Sequence, residues 1–498
     1  MKLQPVLAGT EVATIGGPGT IEVRSIECDS RKVAPGGIFF ALHGVKLDGA
    51  RFVADALRRG AIAVASEAAR PADFPASATW IQLAPGTDRK ALARAAANFY
   101  GNPAEALKLV GVTGTNGKTT TTYLVDSILR SAGGTTGLIG TTGYRTPRGQ
   151  RDAANTTPES LELQRIYAEI RDAGGAFATL EASSHALAMD RLWSCHFAVA
   201  IFTNLTRDHL DYHQTFEAYF SAKRRLFEGT GAGTPDVGVV NADDPYGIEL
   251  KGLARSTLTY GLRSTADLAP KKFILTAAGL EFIAQTPAGD VNVRSPLVGR
   301  MNAYNILAAI GAGIGLGIAI EQIEHGISEL AAVPGRFERI DEGQPFLVVV
   351  DYAHTDDALR NVISTARDLG GSARIITLFG AGGERDRTKR PLMGEAAGLL
   401  SDLVVLTSDN PRSEDPLRII NDVVVGLQKA NAKYRVEPDR EQAIAAAMDA
   451  AQPGDIVILA GKGHETYQVL RDGPVDFDDR EKARAILRRK GYGTDKST

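Results

Sequence analysis

The chain predicts an α/β fold in three domains, and three observations lead there. The first is a recurring pattern in which a short apolar, β-branched run stops abruptly in glycine or polar residues. It occurs as "KLVGV" before Thr113, "AFATL" before Glu181, "FAVAIF" before Thr203, "DVGVV" before Asn241, "PFLVVV" before Asp351, "ARIITLF" before Gly380, "DLVVLT" before Ser408 and "DIVILA" before Gly461. The second is that helix-length segments lie between these runs, as in "TTYLVDSILRSAG", where Leu124, Val125, Ile128 and Leu129 make one apolar stripe before a glycine stop. The third is length, since 498 residues amount to roughly three domains of ~150 residues. Strands apolar on both faces and alternating with helices imply a parallel sheet covered on both sides. Ligands of such sheets bind beyond the carboxyl ends of the strands, where all of these polar stops fall.

The boundaries follow from local composition. Residues 1–88 carry their own strand and helix signals, "GGIFFAL" and "FVADALRRGAIAVAS", and end in the loop-like "APGTD". Residues 89–334 form the central unit, which closes at Pro334-Gly335 in "AAVPGRFERI". Residues 335–498 form the third, with a new run of strands from about 346, and the terminal "RRKGYGTDKST" reads as a frayed tail.

Composition narrows the function classes. Net charge is -3, from 56 basic and 59 acidic residues, which provides no electrostatic footprint for nucleic acid or an anionic membrane. Small molecules are the expected partners. Cys28 and Cys195 are too few for a disulfide framework and show no metal-ligand spacing, so a reducing compartment and inert thiols are expected. "MKLQPVLAGTEV" has no charged segment followed by an apolar run, and the longest apolar run, 306–320, falls short of the ~20 residues that span a bilayer. A cytoplasmic monomer without membrane insertion is the expectation.

The chemistry begins at "GVTGTNGKTTTTYL", residues 111–124. A standard phosphate loop, Gly-x-x-x-x-Gly-Lys-Ser/Thr, would need glycine at 112, where this chain has Val112. The stretch is therefore either a nucleotide cradle with one residue fewer on its strand side, or a glycine-rich turn. Strand, Gly114, Gly117, Lys118-Thr119 and helix in that order favour the cradle. Backbone N–H groups and the helix N-terminus would face a phosphate, with Lys118 reaching the β/γ-phosphates and Thr119 a magnesium ion. An ordinary nucleotide hydrolase of this kind ends a second strand in aspartate, whereas "ATLEASSH" ends in Glu181. Asp208, His209, Asp211 and His213 in "TRDHLDYH" read equally as a metal site or a polar helix start. Lys223 in "YFSAKRRLF", taken alone, reads as part of a solvated helix face.

The motifs together decide among these. "TGTNGKTTT", "NTTPES", "EASSHAL", "TNLTRDHLDYH", "YFSAKRRLF", "VPGRFE", "DYAHT", "GERDRTKRPLM", "SDNPRSEDP" and "GKGHE" stand in the order found in the Mur ligases, the ATP-dependent amide ligases of peptidoglycan precursor synthesis. The matching segments run from about residue 25 to about 470. The chain resembles that family, and within it the members that add meso-diaminopimelate.

The resemblance implies an N-terminal UDP-binding domain, a central P-loop ATPase with a parallel sheet and a C-terminal Rossmann-like domain that binds the amino acid. It implies a reaction in which the D-glutamyl γ-carboxylate of UDP-N-acetylmuramoyl-L-alanyl-D-glutamate takes the γ-phosphoryl group of ATP. An amine of diaminopimelate then displaces phosphate from the acyl phosphate. It implies two Mg²⁺ ions held by Thr119, Glu181, His209 and Lys223, the lysine carrying CO₂ as a carbamate, with Lys118 completing the catalytic set. ATP would meet Gly114, Thr115, Asn116, Gly117, Lys118, Thr119 and Thr120, with Asn305 at the adenine and Arg336 and Asp351 reaching in from the third domain. The nucleotide-sugar dipeptide would meet Ser30, Val45, Lys46 and Leu47 at its uridine end, and Asn155, Thr156, Thr157, Ser183, Met189 and Arg191 further on. Diaminopimelate would meet Arg385, Asp409, Asn410, Pro411, Arg412, Gly461 and Glu465. Its distal end is an amino acid head, which needs a cation for the carboxylate and an acidic group for the ammonium. Arginine offers bidentate recognition of the first and Glu465 pairs the second.

Two positions depart from the family pattern. Met189 stands where glutamine is usual, removing a polar contact, and Asp356 replaces the proline usual after "DYAHT", which is expected to alter the loop beyond His354. The sequence opposes three other readings. An L-lysine-adding ligase is opposed by "DNPR" with Arg385. A P-loop NTPase working on a macromolecule would want a strand-end aspartate, and a non-catalytic nucleotide-binding module would not keep Lys118, Glu181, His209 and Lys223 together.

Overall fold

The computed structural model describes residues 1–44, 48–276 and 278–493. Three α/β sheets dominate, joined by a three-stranded and a two-stranded antiparallel sheet. The first has the order Val12–Gly16, Thr79–Leu83, Ala61–Ser66, Gly37–Phe40, Ser25–Glu27 and is parallel except at its outer Val12–Gly16 pairing. Helix Asp88–Phe99 belongs to this core: Ala91, Leu92 and Ala95 pack with Leu3, Ile38 and Ile81. Asn98 Nδ2 donates to the Val6 and Ala8 carbonyls at 3.0 and 2.8 Å, pinning the helix to the start of the chain.

The central sheet has eight strands, in the order Ser256–Tyr260, Val237–Asn241, Phe197–Phe202, Lys108–Thr113, Phe177–Glu181, Thr136–Gly140, Gly143–Thr146, Gly149–Arg151. The first six run parallel, as the doubly buried apolar runs predict, and the last two form an antiparallel extension. Lys108–Thr113 lies between Phe177–Glu181 and Phe197–Phe202, pairing Glu181 with Val112 and Phe202 with Thr113. The loop after Thr113 is thereby flanked by the polar ends of both neighbours. Leu124, Val125, Ile128 and Leu129 of helix Lys118–Ser131 are all buried in the core on one face of this sheet.

The strands Ala269–Thr276, Gly279–Gln285 and Val291–Ser295 form an antiparallel sheet that the strand-stop pattern did not predict. Val291–Ser295 alternates buried and exposed residues, with Val291, Val293 and Ser295 inward, and Ala269–Thr276 has no buried residue, so neither shows a doubly buried apolar run. The C-terminal sheet has the order Glu338–Ile340, Leu347–Asp351, Ile456–Ala460, Ile375–Phe379, Leu403–Leu406, Tyr434–Val436, parallel after its first pair. The tail expected to fray is anchored as far as it is described. Arg488 and Arg489 end helix Asp479–Arg489, Arg488 pairs with Glu342, and the Tyr492 ring meets Phe346. Among the described residues no helix is long and apolar enough to cross a membrane.

Candidate active site

The segment from Thr113 to Lys118 owes its shape to two glycines. Gly114 has φ +141°, and a Cβ there would lie 1.8 Å from Thr203 Oγ1; Gly117 has φ +87° at the helix start, and a Cβ there would lie 2.4 Å from Asn305 Oδ1. Both positions combine a left-handed backbone with close packing, so no side chain fits. The loop is held from the next strand: Thr203 Oγ1 and Asn204 Nδ2 donate to the Asn116 carbonyl at 2.7 and 3.1 Å, and Asn204 Oδ1 accepts from the Asn116 N–H at 3.0 Å. Replacing Gly114 by alanine is expected to raise the KM for ATP by at least about ten-fold, a loss of about 1.4 kcal/mol of binding. An unchanged KM would mean that the loop does not carry the nucleotide.

Lys118 Nζ folds back onto the Gly114 and Thr115 carbonyls at 3.0 and 2.7 Å. Lys223, only 1 % exposed, donates to the same Gly114 carbonyl at 2.7 Å and lies 4.4 Å from the Tyr219 ring centroid. Burial pushes both ammonium groups below their ordinary value, Lys223 far below, with Lys118 adding repulsion there. The solvated-face reading of Lys223 fails because helix Phe216–Glu228 turns Tyr219, Ala222, Lys223 and Leu226 inward while Arg224 pairs with Glu228 outside.

Glu181 is the hub on the other side of the loop. Its Oε1 accepts from Thr119 Oγ1 at 3.0 Å and from the Thr141 N–H at 2.9 Å, and its Oε2 accepts from Thr141 Oγ1 at 3.1 Å. Arg336 reaches across from the C-terminal unit and donates to Thr119 Oγ1 at 2.8 Å, its Nε buried without a partner. Asp351 accepts from the Phe337 and Ala353 N–H groups at 2.8 and 2.9 Å, and burial raises its carboxyl pKa despite Arg336. These groups line one cleft of about 250 Å³ together with Asn305, His209 and Lys223. Asn305 sits inside it on helix Arg300–Gly315, donating from Nδ2 to Asn302 Oδ1 at 3.0 Å.

His209 and Asp208 form a pair at 3.3 Å. Burial pushes the His209 imidazole down to about 3; despite its own burial the Asp208 carboxyl is held low by its contact with His209, by the Lys389 charge and by the His209 N–H. His354 is likewise pushed down to about 4 by burial and the Lys389 charge, so it is neutral at pH 7. With Nδ1–H donating to the Tyr352 carbonyl at 2.8 Å, its Nε2 is the free nitrogen.

The residues expected at the nucleotide-sugar dipeptide cluster beside Glu181. Thr157 Oγ1 donates to the Glu181 carbonyl at 2.6 Å and lies 3.0 Å from the Ser183 hydroxyl, Arg191 donates to the Thr157 carbonyl at 2.9 Å, and Thr141 Oγ1 bonds Thr156 Oγ1 at 3.2 Å. The Asn155 carbonyl accepts from Tyr144 at 2.6 Å. Met189 ends the short helix Ser184–Ala188 with its Sδ 3.8 Å from Arg191. Ser30 stands apart, buried in a turn of the N-terminal sheet, and Val45, Lys46 and Leu47 lie outside the described residues.

The third set gathers at the ends of the C-terminal strands. Asn410 Nδ2 donates to Glu465 Oε2 at 3.0 Å, and Arg412 donates to the Gly383 carbonyl at 2.7 Å. Arg385 is exposed on the neighbouring loop, and both arginines flank Gly382. Pro411 and Arg412 also line a separate cavity shared with Arg390 and Glu414. Gly461 donates its N–H to the Asp351 carbonyl at 3.0 Å, so the strand end before Glu465 adjoins the one that carries Asp351 in the phosphate cleft. Burial raises the pKa of Glu465, with Asp409 adding to the rise and Lys462 opposing it.

Several contributors were not singled out in the sequence. Thr141 follows the strand Thr136–Gly140, another apolar run with a polar stop, and that signal was available. Asp357 accepts from Asn116 Nδ2 at 2.6 Å and from Thr206 Oγ1 at 3.2 Å, joining the phosphate loop to the C-terminal unit. It follows Asp356, which opens helix Asp356–Gly370 under a Thr355 cap. An acid suits that first turn as proline does, so the substitution keeps the local helix start.

Hard oxygen donors at Thr119 and Glu181 suit one Mg²⁺, with phosphate and water completing its shell. Among the described residues no group of three or more His, Cys, Asp or Glu is placed to hold a metal ion.

Three family models match the chain: the Mur ligase family catalytic domain over residues 22–100, the Mur ligase middle domain over 112–313 and the Mur ligase glutamate ligase domain over 335–463. A UDP-N-acetylmuramoyl-L-alanyl-D-glutamate--2,6-diaminopimelate ligase of Solibacter usitatus is 56% identical over 473 residues, 95% of this chain and 94% of that protein. The ligase of the same name from Geobacillus thermodenitrificans is 43% identical over 98% of this chain and 100% of its own length. A solved structure of a ligase of that name matches with TM-score 0.67 and 34% identity, covering 99% of both chains. The chain belongs to the Mur ligase family.

Proposed function

We propose that the protein joins meso-diaminopimelate to UDP-N-acetylmuramoyl-L-alanyl-D-glutamate at the expense of ATP, the activity named for its 56% identical relative. One observation carries this reading: the Gly114–Thr119 loop, Glu181 and Arg336 meet in one cleft, and Glu465, Asn410 and Arg412 cluster at the ends of strands in the C-terminal sheet. In the first step a γ-carboxylate oxygen of the dipeptide attacks the γ-phosphorus and ADP leaves. In the second the amine nitrogen attacks the acyl carbon, phosphate leaves and the nitrogen loses a proton. Lys118 and Arg336 place positive charge where phosphate oxygens gather it, and the loop N–H groups fix the chain of phosphates. Bound Mg²⁺ would neutralise developing charge, with Thr119 and Glu181 as ligands of one ion and His209 and a carbamylated Lys223 at the second. Ser30 and the cluster from Asn155 to Arg191 would hold the nucleotide-sugar dipeptide. The three-unit division is part of this reading, with the first unit extended from 88 to beyond Phe99 because helix Asp88–Phe99 packs in the N-terminal core.

The test is phosphate release from ATP with the nucleotide-sugar dipeptide and either meso-diaminopimelate or L-lysine. Release that depends on both substrates and strongly favours diaminopimelate is expected, because L-lysine leaves the arginines of the pocket unpaired. Equal rates, or release needing neither substrate, would remove the assignment. Arg412→Ala is expected to raise the KM for diaminopimelate by about 10²-fold, the 2–3 kcal/mol of a charged hydrogen bond, and to leave that for ATP within a few-fold. The reverse order would contradict the pocket.

A further inference from the structure

Lys462 lies within "GKGHE" and is 0 % exposed, yet it bears an ammonium group. A buried charge persists only where it is paired and hydrogen-bonded. Its Nζ lies 3.1 Å from Asn410 Oδ1, 3.2 Å from Glu465 Oε2 and 3.6 Å from Asp409 Oδ1. These are three of the residues assigned above to the amino acid head.

The contacts fix orientation as well as charge. Asn410 Oδ1 accepts from Lys462 and from the Val469 N–H at 2.8 Å, which turns the amide so that Nδ2 faces Glu465. Glu465 Oε2 then has two donors, Lys462 and Asn410, while among the described residues Oε1 meets only the Tyr352 hydroxyl, at 3.4 Å. The oxygen left to receive a substrate ammonium is Oε1.

We infer that Lys462 is a positioning residue of the amine pocket: it holds Asn410 and Glu465 in register, directing Oε1 to the ammonium of the amino acid head. This rests on the assignment of that pocket. The groups facing Glu465 are Asp409, Lys462, Arg440, Tyr352 and Tyr467. Burial and Asp409 raise Glu465, and Lys462 is the largest opposing influence. Removing it shifts the balance toward the neutral acid, which binds no ammonium.

Lys462→Met keeps the length of the stem without the charge. The expected result is a rise of about 10²-fold in the KM for diaminopimelate with the KM for ATP within a few-fold. The acidic limb of kcat/KM for the amine should move to higher pH, because Glu465 then protonates higher. A general structural defect would raise both KM values together and leave the limb in place, and that result overturns the inference. The double variant Lys462→Met/Glu465→Gln separates the two further: if Lys462 acts through Glu465, it is no worse than Glu465→Gln alone. A double variant whose losses multiply overturns it. Arg412→Ala is the control for the pocket itself. If it leaves the amine KM unchanged, the pocket assignment fails; if it raises that KM while Lys462→Met does not, only the role of Lys462 fails.

Discussion

Replacing Lys223 by alanine is expected to lower turnover by about 10²- to 10³-fold, the scale of one lost transition-state charge contact, while the circular dichroism spectrum stays that of the parent. Helix Phe216–Glu228 delivers this amine to the back of the phosphate loop, where it is buried against Gly114 and Tyr219. As an ammonium it would repel a cation beside Lys118. Attack of the neutral amine on CO₂ forms an N–C bond, releases a proton and leaves an anionic oxygen donor in its place. That step needs the unprotonated amine, and burial together with Lys118 pushes Lys223 well below the ordinary lysine value. Carbamate occupancy therefore rises with pH through the depressed ammonium pKa and is lost below it. Protein equilibrated with ¹³C-bicarbonate should show a carbamate carbon resonance that the alanine variant lacks. Turnover within a few-fold of the parent, or a resonance that persists in the variant, would rule out this role.

The parts of this molecule that were legible in its sequence are those whose physics is local. Each doubly apolar run became a parallel strand because only a strand covered on both faces tolerates it, and two of the polar stops, Glu181 and Asp351, line the cleft because the fold places ligands at those ends. Glu181 is the clearest case: it follows "ATL", and that adjacency alone sets it beside Thr119. Contacts between units left no such trace. Asp357 meets Asn116 across 241 positions, a pairing that no periodicity encodes. Over residues 488–493 the frayed-tail expectation failed for a related reason, since Arg488 is ordered by Glu342, far away in the chain. The sheet at 269–295 escaped notice because one of its faces is open to solvent, which replaces apolar runs with alternation. Lys462 was visible inside its motif but not its role, because a lysine between two glycines reads as a loop charge until its burial is known.

The largest loss of stability is expected at Arg440. Its guanidinium and the Asp479 carboxylate are both fully buried, paired through Nε at 2.8 Å and an NH₂ group at 2.6 Å. The same guanidinium donates to the Ser408 carbonyl at 3.3 Å and the Ala460 carbonyl at 2.9 Å, tying together the ends of the two strands that carry Asn410 and Glu465. Arg440→Met leaves a carboxylate buried without its partner, at a cost of about 3–5 kcal/mol. The thermal transition of the C-terminal unit should fall accordingly. Arg440→Met/Asp479→Leu removes both charges, and exchanging a buried pair for apolar groups is close to neutral, so most of that stability should return. The Ser408 and Ala460 carbonyls would still lack their donor, and the loops holding Asn410 and Glu465 would lose a common anchor. The double variant should therefore fold but bind diaminopimelate more weakly, its KM raised about ten-fold, the effect of losing one or two hydrogen bonds. Calorimetry and amine-dependent phosphate release separate the two effects. A single variant within about 1 kcal/mol of the parent, an ordinary surface-like effect, would show that the pair does not hold this unit together. A stable double variant with unchanged amine KM would show that the strand ends keep their geometry without Arg440.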